Sequence, residues 1–310
     1  MKNVVIQGLG FVGLAMAVAV ASAKDENKNN LYNVTGLDLP TPEGIKKVSD
    51  INNGKFPLNS SDKLLEEYFY RCIEIGTLSA TTNPEIIHEA DYIIVDINLD
   101  VDIKKVRGNV DFSGFAKAIE TIGEYLKKEA LVIIETTVPP GTTEKIVYPI
   151  LEKKLNQRYS RKILPMVAHS YERVMPGPNY FNSITNFWRV FAGCNSTSAI
   201  KCKEFLRTII NIQDYELTEV MSTTASETAK IMENSYRALN IAFIDEWSKF
   251  AEIINIDLFD VISAIKVRPT HNNIMRPGLG VGGYCLTKDP LMGMISLDQI
   301  YKKKSDFPLS

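Results

Sequence analysis

The sequence has few cysteines, few histidines and almost no net charge. Its 310 residues include 4 Cys and 3 His, and 35 Lys and Arg against 37 Asp and Glu give a net charge of −2. No two cysteines form a C-x-x-C pair, so the sequence predicts neither a disulfide framework nor a structural zinc site, and a reducing, cytoplasmic compartment is favoured. Charge this close to zero excludes a general attraction to nucleic acid or to an anionic membrane surface.

Long hydrophobic runs are also absent, because no segment reaches the roughly 20 apolar residues that a membrane-spanning helix requires. The run from Lys2 to Ala23 has the basic start and small-residue end of a secretory signal peptide. Glycines at positions 8, 10 and 13 interrupt that run with a spacing that favours the different interpretation given below. Hydrophobic residues make up 45% and charged residues 23%, which is typical of a globular protein, and the length is sufficient for two domains.

Short β-branched runs alternate with helical patterns in the first half, which is typical of β-α-β units and a parallel sheet buried on both faces. The predicted strands are Asn3–Gln7, Asn33–Leu37, Tyr92–Asp96, Leu131–Glu135 and Lys162–Ala168. The predicted helices are Val12–Ala23, Asp62–Tyr70, Phe112–Lys128 and Thr142–Leu155, and Lys24–Asn30 is interpreted as a polar surface loop. We therefore predict an α/β fold, with a Rossmann-like doubly wound parallel sheet over residues 1–212.

The second half is predicted to be a mainly helical domain over residues 213–310. Ala225–Ile254 is apolar on several faces and lacks Gly and Pro, so we expect a long helix that is buried in part against a second subunit of a homodimer. A helix at Leu258–Lys266, a loop at Arg268–Gly283 and a helical pattern at Leu286–Tyr301 follow.

The glycines of the first helix match the pattern G-x-G-x-x-G, directly after an apolar strand. Gly8 permits the tight turn, Gly10 lets the backbone approach a pyrophosphate, and Gly13 lets helix and strand pack closely. Phe11 and Val12 complete the turn at the positive end of the helix dipole. The pattern predicts a dinucleotide site, with a purely structural turn as the alternative.

An acidic residue at the end of the second predicted strand would hold the adenosine ribose of such a dinucleotide. Asp38 occupies that place and favours NAD over NADP, although an ordinary surface aspartate is the alternative. It lies 25 residues after Gly13, against a usual spacing of about 20, and the Lys24–Asn30 loop accounts for the excess. Thr82 lies before the predicted strand Tyr92–Asp96, and Thr137 follows the predicted strand Leu131–Glu135. Both are further candidate cofactor contacts, because open α/β sheets bind ligands at the carboxyl ends of their strands.

One cysteine differs from the others in its surroundings. Cys285 follows a glycine-rich loop and is predicted to begin a helix, a position that lowers the pKa of a thiol and exposes the sulfur to a substrate. It is therefore a candidate nucleophile. Cys72, Cys194 and Cys202 are interpreted as small buried hydrophobic residues.

Five motifs in this order resemble the UDP-glucose/GDP-mannose dehydrogenase family, and the resemblance runs from Met1 to about Pro290. They are the glycine fingerprint, ETTVPPGTT at 135–143, ERVMPG at 172–177, ETAKIMEN at 227–234 and GVGGYCLTKD at 280–289. The resemblance implies a four-electron, NAD-dependent oxidation of the C6 alcohol of a nucleotide sugar to a uronate. It also implies a cofactor-binding domain, a helical central domain and dimerisation through the helix at 225–254.

The resemblance assigns covalent catalysis to Cys285, which would attack the aldehyde to give a thiohemiacetal and then a thioester. Lys230 and Asn234 are four residues apart, so on a helix they share one face, and the family role is to stabilise the oxyanion. Asp289 matches an aspartate that orders this site.

The resemblance assigns water activation and proton transfer in thioester hydrolysis to Glu172 together with Thr137. It extends the substrate site to Arg173 and Gly282. It also extends the site to Arg268, which would reach the substrate from the partner subunit.

The sequence departs from the family pattern in three places. Val95-Asp96-Ile97-Asn98 replaces the Val-Pro-Thr-Pro of many members, which leaves the contacts on the nicotinamide side open. The motif at 172–177 is closer to the N-acetylhexosamine branch, because the UDP-glucose branch often has a second glutamate near position 176. Only 20 residues follow Pro290, so the C-terminal domain that holds the nucleotide half of the substrate is expected to be missing.

These features predict oxidation of UDP-N-acetylmannosamine or UDP-N-acetylglucosamine. Three alternatives remain, namely a UDP-glucose 6-dehydrogenase, a catalytically impaired cofactor-binding fragment and a two-electron hydroxyacid dehydrogenase. The last of these would not need Cys285. No G-x-S-x-G elbow, P-loop or metal-ligand cluster supports a hydrolase.

Overall fold

The computed structural model describes residues 1–105, 107–174 and 177–303, which form two compact units. The first unit comprises residues 1–100 and 111–227, and the second comprises residues 101–110 and the chain from 228 onwards. The first unit extends past the boundary drawn from the sequence at residue 212, because a short strand at Leu217–Glu219 pairs with its sheet.

An eight-stranded sheet forms the centre of the first unit. Its strands are β1 (Lys2–Gln7), β2 (Tyr32–Leu37), β3 (Leu78–Thr81), β4 (Tyr92–Val95), β5 (Leu131–Ile134), β6 (Met166–His169), β7 (Arg189–Gly193) and β8 (Leu217–Glu219). The order is β3-β2-β1-β4-β5-β6-β7-β8, and every neighbouring pair is parallel except β6 and β7. The predicted doubly wound parallel sheet is therefore confirmed, with the change of direction between β1 and β4 that is typical of dinucleotide-binding folds.

Five strands were predicted and three were missed. β3 consists largely of small residues, β8 has only three residues, and β7 combines Val and Phe with Arg, Ala and Gly, so none of the three is a run of β-branched residues. The predicted strand Lys162–Ala168 is wrong at its start, since pairing begins at Met166. Pro165 has no backbone N–H, so it cannot donate to a ladder.

Helices connect the strands of the sheet. They are α1 (Phe11–Ala21), α2 (Pro42–Asn52), α3 (Lys63–Ile75), α4 (Ser113–Tyr125), α5 (Tyr148–Tyr159), α6 (Tyr180–Thr185) and α7 (Ser196–Arg207), with a 3-10 helix at Pro84–Glu89 and a π-helical turn at Thr143–Val147. The sequence analysis missed α2, α6 and α7. The start of α2 does carry a signal, because the Thr41 side chain accepts a hydrogen bond from the Gly44 N–H and Pro42 lies at the first helical position.

The loop at residues 24–30 is a surface turn, as predicted. Lys24 and Asn30 form an isolated bridge, and the Asp25 carboxylate accepts hydrogen bonds from Asn29. The turn lengthens the connection between α1 and β2 without disturbing either element, and it thereby explains the long spacing between Gly13 and Asp38.

The second unit is mainly helical. Helix α8 (Thr223–Ile254) begins in the first unit and continues into the second, where α9 (Leu258–Lys266) and a 3-10 turn at Pro269–His271 follow. The predicted helical segment Leu286–Tyr301 is confirmed from Asp289 to Ile300, where a 3-10 turn at Asp289–Leu291, a four-residue α10 (Met292–Ile295) and a π-helical turn at Ser296–Ile300 follow one another without a gap. This helical run begins three residues later than predicted, and Pro290 lies in its first turn, where the missing N–H is tolerated.

Helix α8 carries a stripe of large apolar side chains that are exposed in the single chain. These side chains recur every three or four residues and belong to Met232, Tyr236, Leu239, Phe243, Trp247, Phe250 and Ile253. We call them the α8 stripe. Within the described residues, no helix has the combination of length and apolar character needed to cross a membrane.

Candidate functional site

The glycine motif forms the turn between β1 and α1, at the carboxyl edge of the sheet. Gly8 has φ = +100°, and a Cβ on it would lie 2.4 Å from the backbone oxygen of Asp96. A Cβ on Gly13 would lie 1.9 Å from the Gly8 oxygen, whereas a Cβ on Gly10 would meet no heavy atom within 4 Å. Gly8 and Gly13 are therefore required by backbone packing, and Gly10 leaves open space at the N-terminus of α1. That space suits a phosphate group.

Phe11 and Val12 follow this opening at the start of α1. The side chain of Phe11 is about half exposed, at 57%. Its neighbours include Phe56, Leu58 and Tyr180, which line a cavity of about 170 Å³ beside the turn.

Asp38 follows β2 directly, as the sequence predicts. Its Oδ1 accepts a hydrogen bond of 2.8 Å from the Leu39 N–H, and the Lys47 ammonium lies 3.6 Å from Oδ2. Oδ2 is buried and accepts no hydrogen bond from the described part of the chain. A buried acceptor of this kind beside the glycine turn fits the ribose hydroxyls of a dinucleotide.

Thr82 also lies at this edge. It follows β3, the neighbour of β2, and the Asp38 N–H donates to the carbonyl of Thr81. Thr82 thus lies at the carboxyl end of β3, a strand that was not predicted, and not only before β4.

Replacing Asp38 by alanine should weaken NAD binding by about ten- to a hundredfold, since hydrogen bonds to a charged acceptor are worth about 1.5–3 kcal/mol. The preference for NAD over NADP should narrow as well. Titration of both cofactors by fluorescence or calorimetry measures the change, with Asp50→Ala on the outer helix α2 as the matched control. An unaltered NAD affinity would remove Asp38 from the site.

The loop after β5 carries Thr137 and is fixed by a buried glutamate of α8. The Glu227 carboxylate accepts hydrogen bonds from the backbone N–H groups of Gly141 (2.5 Å) and Thr143 (2.8 Å). Burial raises the pKa of Glu227 to about 7, against the opposing effect of these hydrogen bonds. Glu227 belongs to the motif at 227–234, but its contacts are not visible in the sequence, because only the fold brings residues 141 and 227 together.

The raised pKa of Glu227 predicts a pH-dependent stability. Since its pKa in the folded state exceeds the unfolded value of 4.5, its contribution is greatest below pH 4.5 and is lost as pH rises through about 7. Between pH 4.5 and 8 the loss should be on the order of 3 kcal/mol. Urea unfolding of the wild type and of Glu227→Gln across this range should show a steeper decline for the wild type, and parallel curves would contradict the prediction.

Glu172 and Arg173 lie in the loop after β6 and are held within the first unit. Glu172 Oε2 accepts a hydrogen bond from the Val174 N–H. Arg173 donates to the Trp188 carbonyl at 2.7 Å and to the Tyr171 hydroxyl at 3.1 Å. Positions 175 and 176 of this motif, including the site of the second glutamate in the UDP-glucose branch, lie outside the described residues.

Sequence reasoning also missed a buried charged cluster behind the glycine turn. Glu135, which follows β5, forms an ion pair with Arg189 of β7, and both side chains are almost completely buried. Burial raises the pKa of the neighbouring Asp96 well above its usual value, and the charges of Glu135 and Glu172 raise it further. The motif pattern indicated only that position 96 departs from the family.

In the second unit, Cys285 is exposed and lies in a turn. The predicted helix start at this position is wrong. The Cys285 carbonyl accepts hydrogen bonds from the N–H groups of Lys288 (3.2 Å) and Asp289 (2.9 Å), which closes a single turn before the chain reaches Pro290. Asp289 is buried within that turn.

Asp289 connects the cysteine turn to α8. Its Oδ2 accepts a 2.6 Å hydrogen bond from the Asn234 amide, and its Oδ1 accepts a 2.9 Å bond from the Lys288 ammonium. Lys230 is buried one turn before Asn234 on the same helix, so the expected common face of these two residues is present. Cys285 thus lies beside a fixed set of polar groups.

The remaining substrate candidates are exposed. A Cβ on Gly282 would meet no heavy atom within 4 Å, and Arg268 begins the turn after α9. Cys72 and Cys202 are buried, as predicted, while Cys194 is only partly so. Burial raises the pKa of both Cys194 and Cys202 to about 12, which makes either thiol a poor nucleophile.

A parallel doubly wound sheet, a glycine turn with an open N-terminal space and an acidic residue directly after β2 are typical of dinucleotide-binding proteins of the dehydrogenase type. The family model described as the UDP-glucose/GDP-mannose dehydrogenase family, NAD binding domain, matches residues 2–211. The model of that family's central domain matches residues 224–302. The chain belongs to the UDP-glucose/GDP-mannose dehydrogenase family.

Named relatives lie in the N-acetylhexosamine branch. The UDP-N-acetyl-D-mannosamine dehydrogenase of Methanocaldococcus jannaschii is 35% identical over 292 residues, which cover 93% of this chain and 60% of the relative. The UDP-N-acetyl-D-glucosamine 6-dehydrogenase of Pseudomonas aeruginosa is 31% identical, with 93% and 61% covered. The structure of a UDP-D-ManNAc dehydrogenase from Pyrococcus horikoshii superposes with a TM-score of 0.81 at 30% identity, covering 99% of this chain and 66% of that one. The chain thus spans about 60% of the length of the curated relatives it matches.

Proposed function

We propose that this chain carries the cofactor-binding and catalytic residues of an NAD-dependent nucleotide-sugar 6-dehydrogenase. The observation that supports this most strongly is the exposed Cys285 in a turn closed by buried Asp289, which is in turn hydrogen-bonded to Asn234. A two-electron hydroxyacid dehydrogenase would have no use for a cysteine in this setting. A four-electron oxidation requires one, because a thioester preserves the acyl oxidation level between two oxidations.

NAD would accept two electrons and a proton from the sugar carbon in each of the two oxidations. The open space at Gly10 and the buried Oδ2 of Asp38 would hold its pyrophosphate and adenosine ribose. Thr82 and Thr137, at the ends of β3 and β5, would contribute further contacts.

In the second unit, Lys230 and Asn234 would stabilise negative charge on the C6 oxygen of the substrate. The Cys285 sulfur would form a bond to the aldehyde carbon, giving a thiohemiacetal and, after the second oxidation, a thioester. Asp289 keeps the Asn234 amide and the Lys288 ammonium in place through its two oxygens, which fixes the geometry around the cysteine turn.

Glu172 would take a proton from the water that cleaves the thioester and so release the uronate. Its hydrogen bond with Val174 holds the carboxylate in a defined orientation within the first unit. Arg173 and Gly282 are further candidate substrate contacts. Arg268 is a candidate for contact with the substrate of a partner subunit.

The proposed substrate is UDP-N-acetylmannosamine or UDP-N-acetylglucosamine, in keeping with the names of the relatives. UDP-glucose is the alternative. We also propose a homodimer formed through the α8 stripe, because a contiguous row of exposed large apolar residues is typical of protein interfaces. A wild-type chain that sediments as a monomer at micromolar concentration would contradict the dimer.

A second candidate function is cofactor binding without useful turnover. The candidate cofactor contacts Gly10 and Asp38 both lie within the first unit, so cofactor binding does not require the candidate catalytic residues of the second unit. Such a chain would bind NAD and leave every nucleotide sugar unchanged.

The number of NADH molecules formed per sugar consumed distinguishes these functions. It should be measured with UDP-N-acetylmannosamine, UDP-N-acetylglucosamine, UDP-glucose and GDP-mannose. Two NADH per sugar is the result we expect, and the accepted sugar identifies the substrate. One NADH would indicate a dehydrogenase that stops at the aldehyde, and NAD binding without turnover would establish the second candidate.

A further inference from the structure

The end of β4 places a carboxyl group directly behind the glycine turn. An added Cβ on Gly13 would lie 3.1 Å from the Cβ of Asp96, and one on Gly8 would lie 2.4 Å from its backbone oxygen. Other atoms of Asp96 are partly exposed, but its Oδ2 is buried. The elements on this side offer no compensating charge, because α1 has no charged residue and β1 ends in the neutral Gln7.

The charged groups around Asp96 belong to the strands that follow β4 in the sheet or to the residues directly after them. They are Glu135 after β5, Glu172 after β6 and Arg189 of β7. The only cation among these three, Arg189, is already paired with Oε1 of Glu135. Two buried carboxyl groups therefore share a single guanidinium, which leaves one negative charge too many for a buried cluster unless a proton is bound.

The geometry also indicates where that proton lies. Val95 and Ile134 are paired at the ends of β4 and β5, so Asp96 and Glu135 are the next residues of two neighbouring strands. Asp96 Oδ2 and Glu135 Oε2 are both buried, and neither has a hydrogen-bond partner among the described residues. Two buried carboxyl groups that share one site cannot both ionise, so one of them carries a proton. Since Arg189 stabilises the ionised form of Glu135, the proton belongs to Asp96.

We propose that Asp96 is a positioning residue that shares a proton with Glu135 and so keeps the base of the glycine turn uncharged towards a dinucleotide pyrophosphate. The proposal rests on the proposed function only in taking the bound dinucleotide to be NAD. Loss of this proton would place a second negative charge directly behind the turn. It would set two carboxylates against each other at the ends of β4 and β5 and repel the pyrophosphate.

The expected consequence is a cofactor affinity that falls at alkaline pH. NAD should bind the wild type about tenfold more weakly once the shared proton is lost, as a Coulomb repulsion across a protein edge predicts. The variant Asp96→Asn has the same shape, can donate to Glu135 and cannot ionise, so its NAD affinity should stay constant over the same pH range. The variant Asp100→Asn removes the same charge at an exposed position four residues away, so its NAD affinity should fall with pH as that of the wild type does.

A second measurement reports the proton without any cofactor. Infrared spectroscopy of the wild type at neutral pH should show the carbonyl band of a buried protonated carboxyl, which disappears at alkaline pH and is absent from Asp96→Asn. The wild-type titration needs no variant, so a failure of Asp96→Asn to fold would leave the test intact.

Each result decides the proposal. The band together with a pH-dependent affinity confined to the wild type and Asp100→Asn would support it. A missing band, or an Asp96→Asn affinity that falls with pH as the wild type does, would overturn it while NAD binding itself persists. Failure of the wild type to bind NAD at any pH would instead overturn the proposed function and, with it, the role towards the pyrophosphate.

Discussion

Replacing Cys285 by serine should abolish uronate formation and leave NAD binding intact. A serine hydroxyl is a much weaker nucleophile than a thiolate and forms no thioester, so we expect a loss of at least about a hundredfold, or roughly 3 kcal/mol of transition-state stabilisation. NADH release and uronate should be measured together, and mass spectrometry of the protein with substrate should show an acyl adduct on the wild type only. The cofactor site lies in the first unit and should bind NAD equally in both proteins.

Cys194→Ser is the matched control for this experiment. Cys194 is partly buried, and burial raises the pKa of its thiol to about 12, so its loss should leave both products unchanged. Undiminished uronate formation by Cys285→Ser would remove this residue from the mechanism. If the wild-type chain shows no turnover, formation of the acyl adduct from the aldehyde-level sugar and NAD provides the same comparison.

The variants Gly13→Ala and Gly10→Ala should affect different properties, the stability of the fold in the first case and the affinity for NAD in the second. A Cβ at position 13 would lie 1.9 Å from the Gly8 oxygen, and a backbone atom cannot move away as a flexible side chain can. Gly13→Ala should therefore destabilise the fold by more than about 3 kcal/mol. Gly10→Ala meets no atom and should cost at most about 1 kcal/mol, the price of a poorer helix cap.

The affinity for NAD should be reduced in Gly10→Ala even though this variant is folded. The methyl group of Gly10→Ala would occupy the open space at the N-terminus of α1, so NAD affinity should fall at least about tenfold although the protein remains folded. Urea unfolding measures the change in stability, and NADH fluorescence titration measures the change in cofactor affinity. A stable Gly13→Ala protein would contradict the packing argument, and normal NAD binding by Gly10→Ala would place the pyrophosphate elsewhere.

The sequence was most informative where local geometry dictates residue type. The glycine spacing predicted the turn, and the long α8 followed from an uninterrupted apolar pattern. The prediction failed where tertiary contacts decide. β3, β7 and β8 are short strands that exist because a neighbouring strand is available to pair with. The helical pattern from 286 to 301 is present only from residue 289, as short pieces of 3-10, α and π geometry that the sequence does not distinguish.

The residues of the candidate site also fall into those that the sequence indicates and those whose contacts only the fold brings together. Local patterns indicated Asp38 and Cys285 as candidates, and the family resemblance added Lys230 and Asn234, because each belongs to a motif of fixed spacing along the chain. They could not identify the partners of Glu227 or of Glu135, which lie 84 and 54 residues away in the chain. Ionisation depends on burial and on neighbours brought together by the fold, and neither is written in local sequence.

The sequence by itself therefore determined the class of fold, the dinucleotide turn, the acid at the end of β2 and the candidate nucleophile. Only the tertiary structure decided that Asp289 holds Asn234 and Lys288 around the cysteine turn, and that Asp96 and Glu135 share one buried environment. The physical reason is that backbone turns and helix periodicity are set within a few residues. The protonation and orientation of a side chain are set by whichever groups the completed fold places against it.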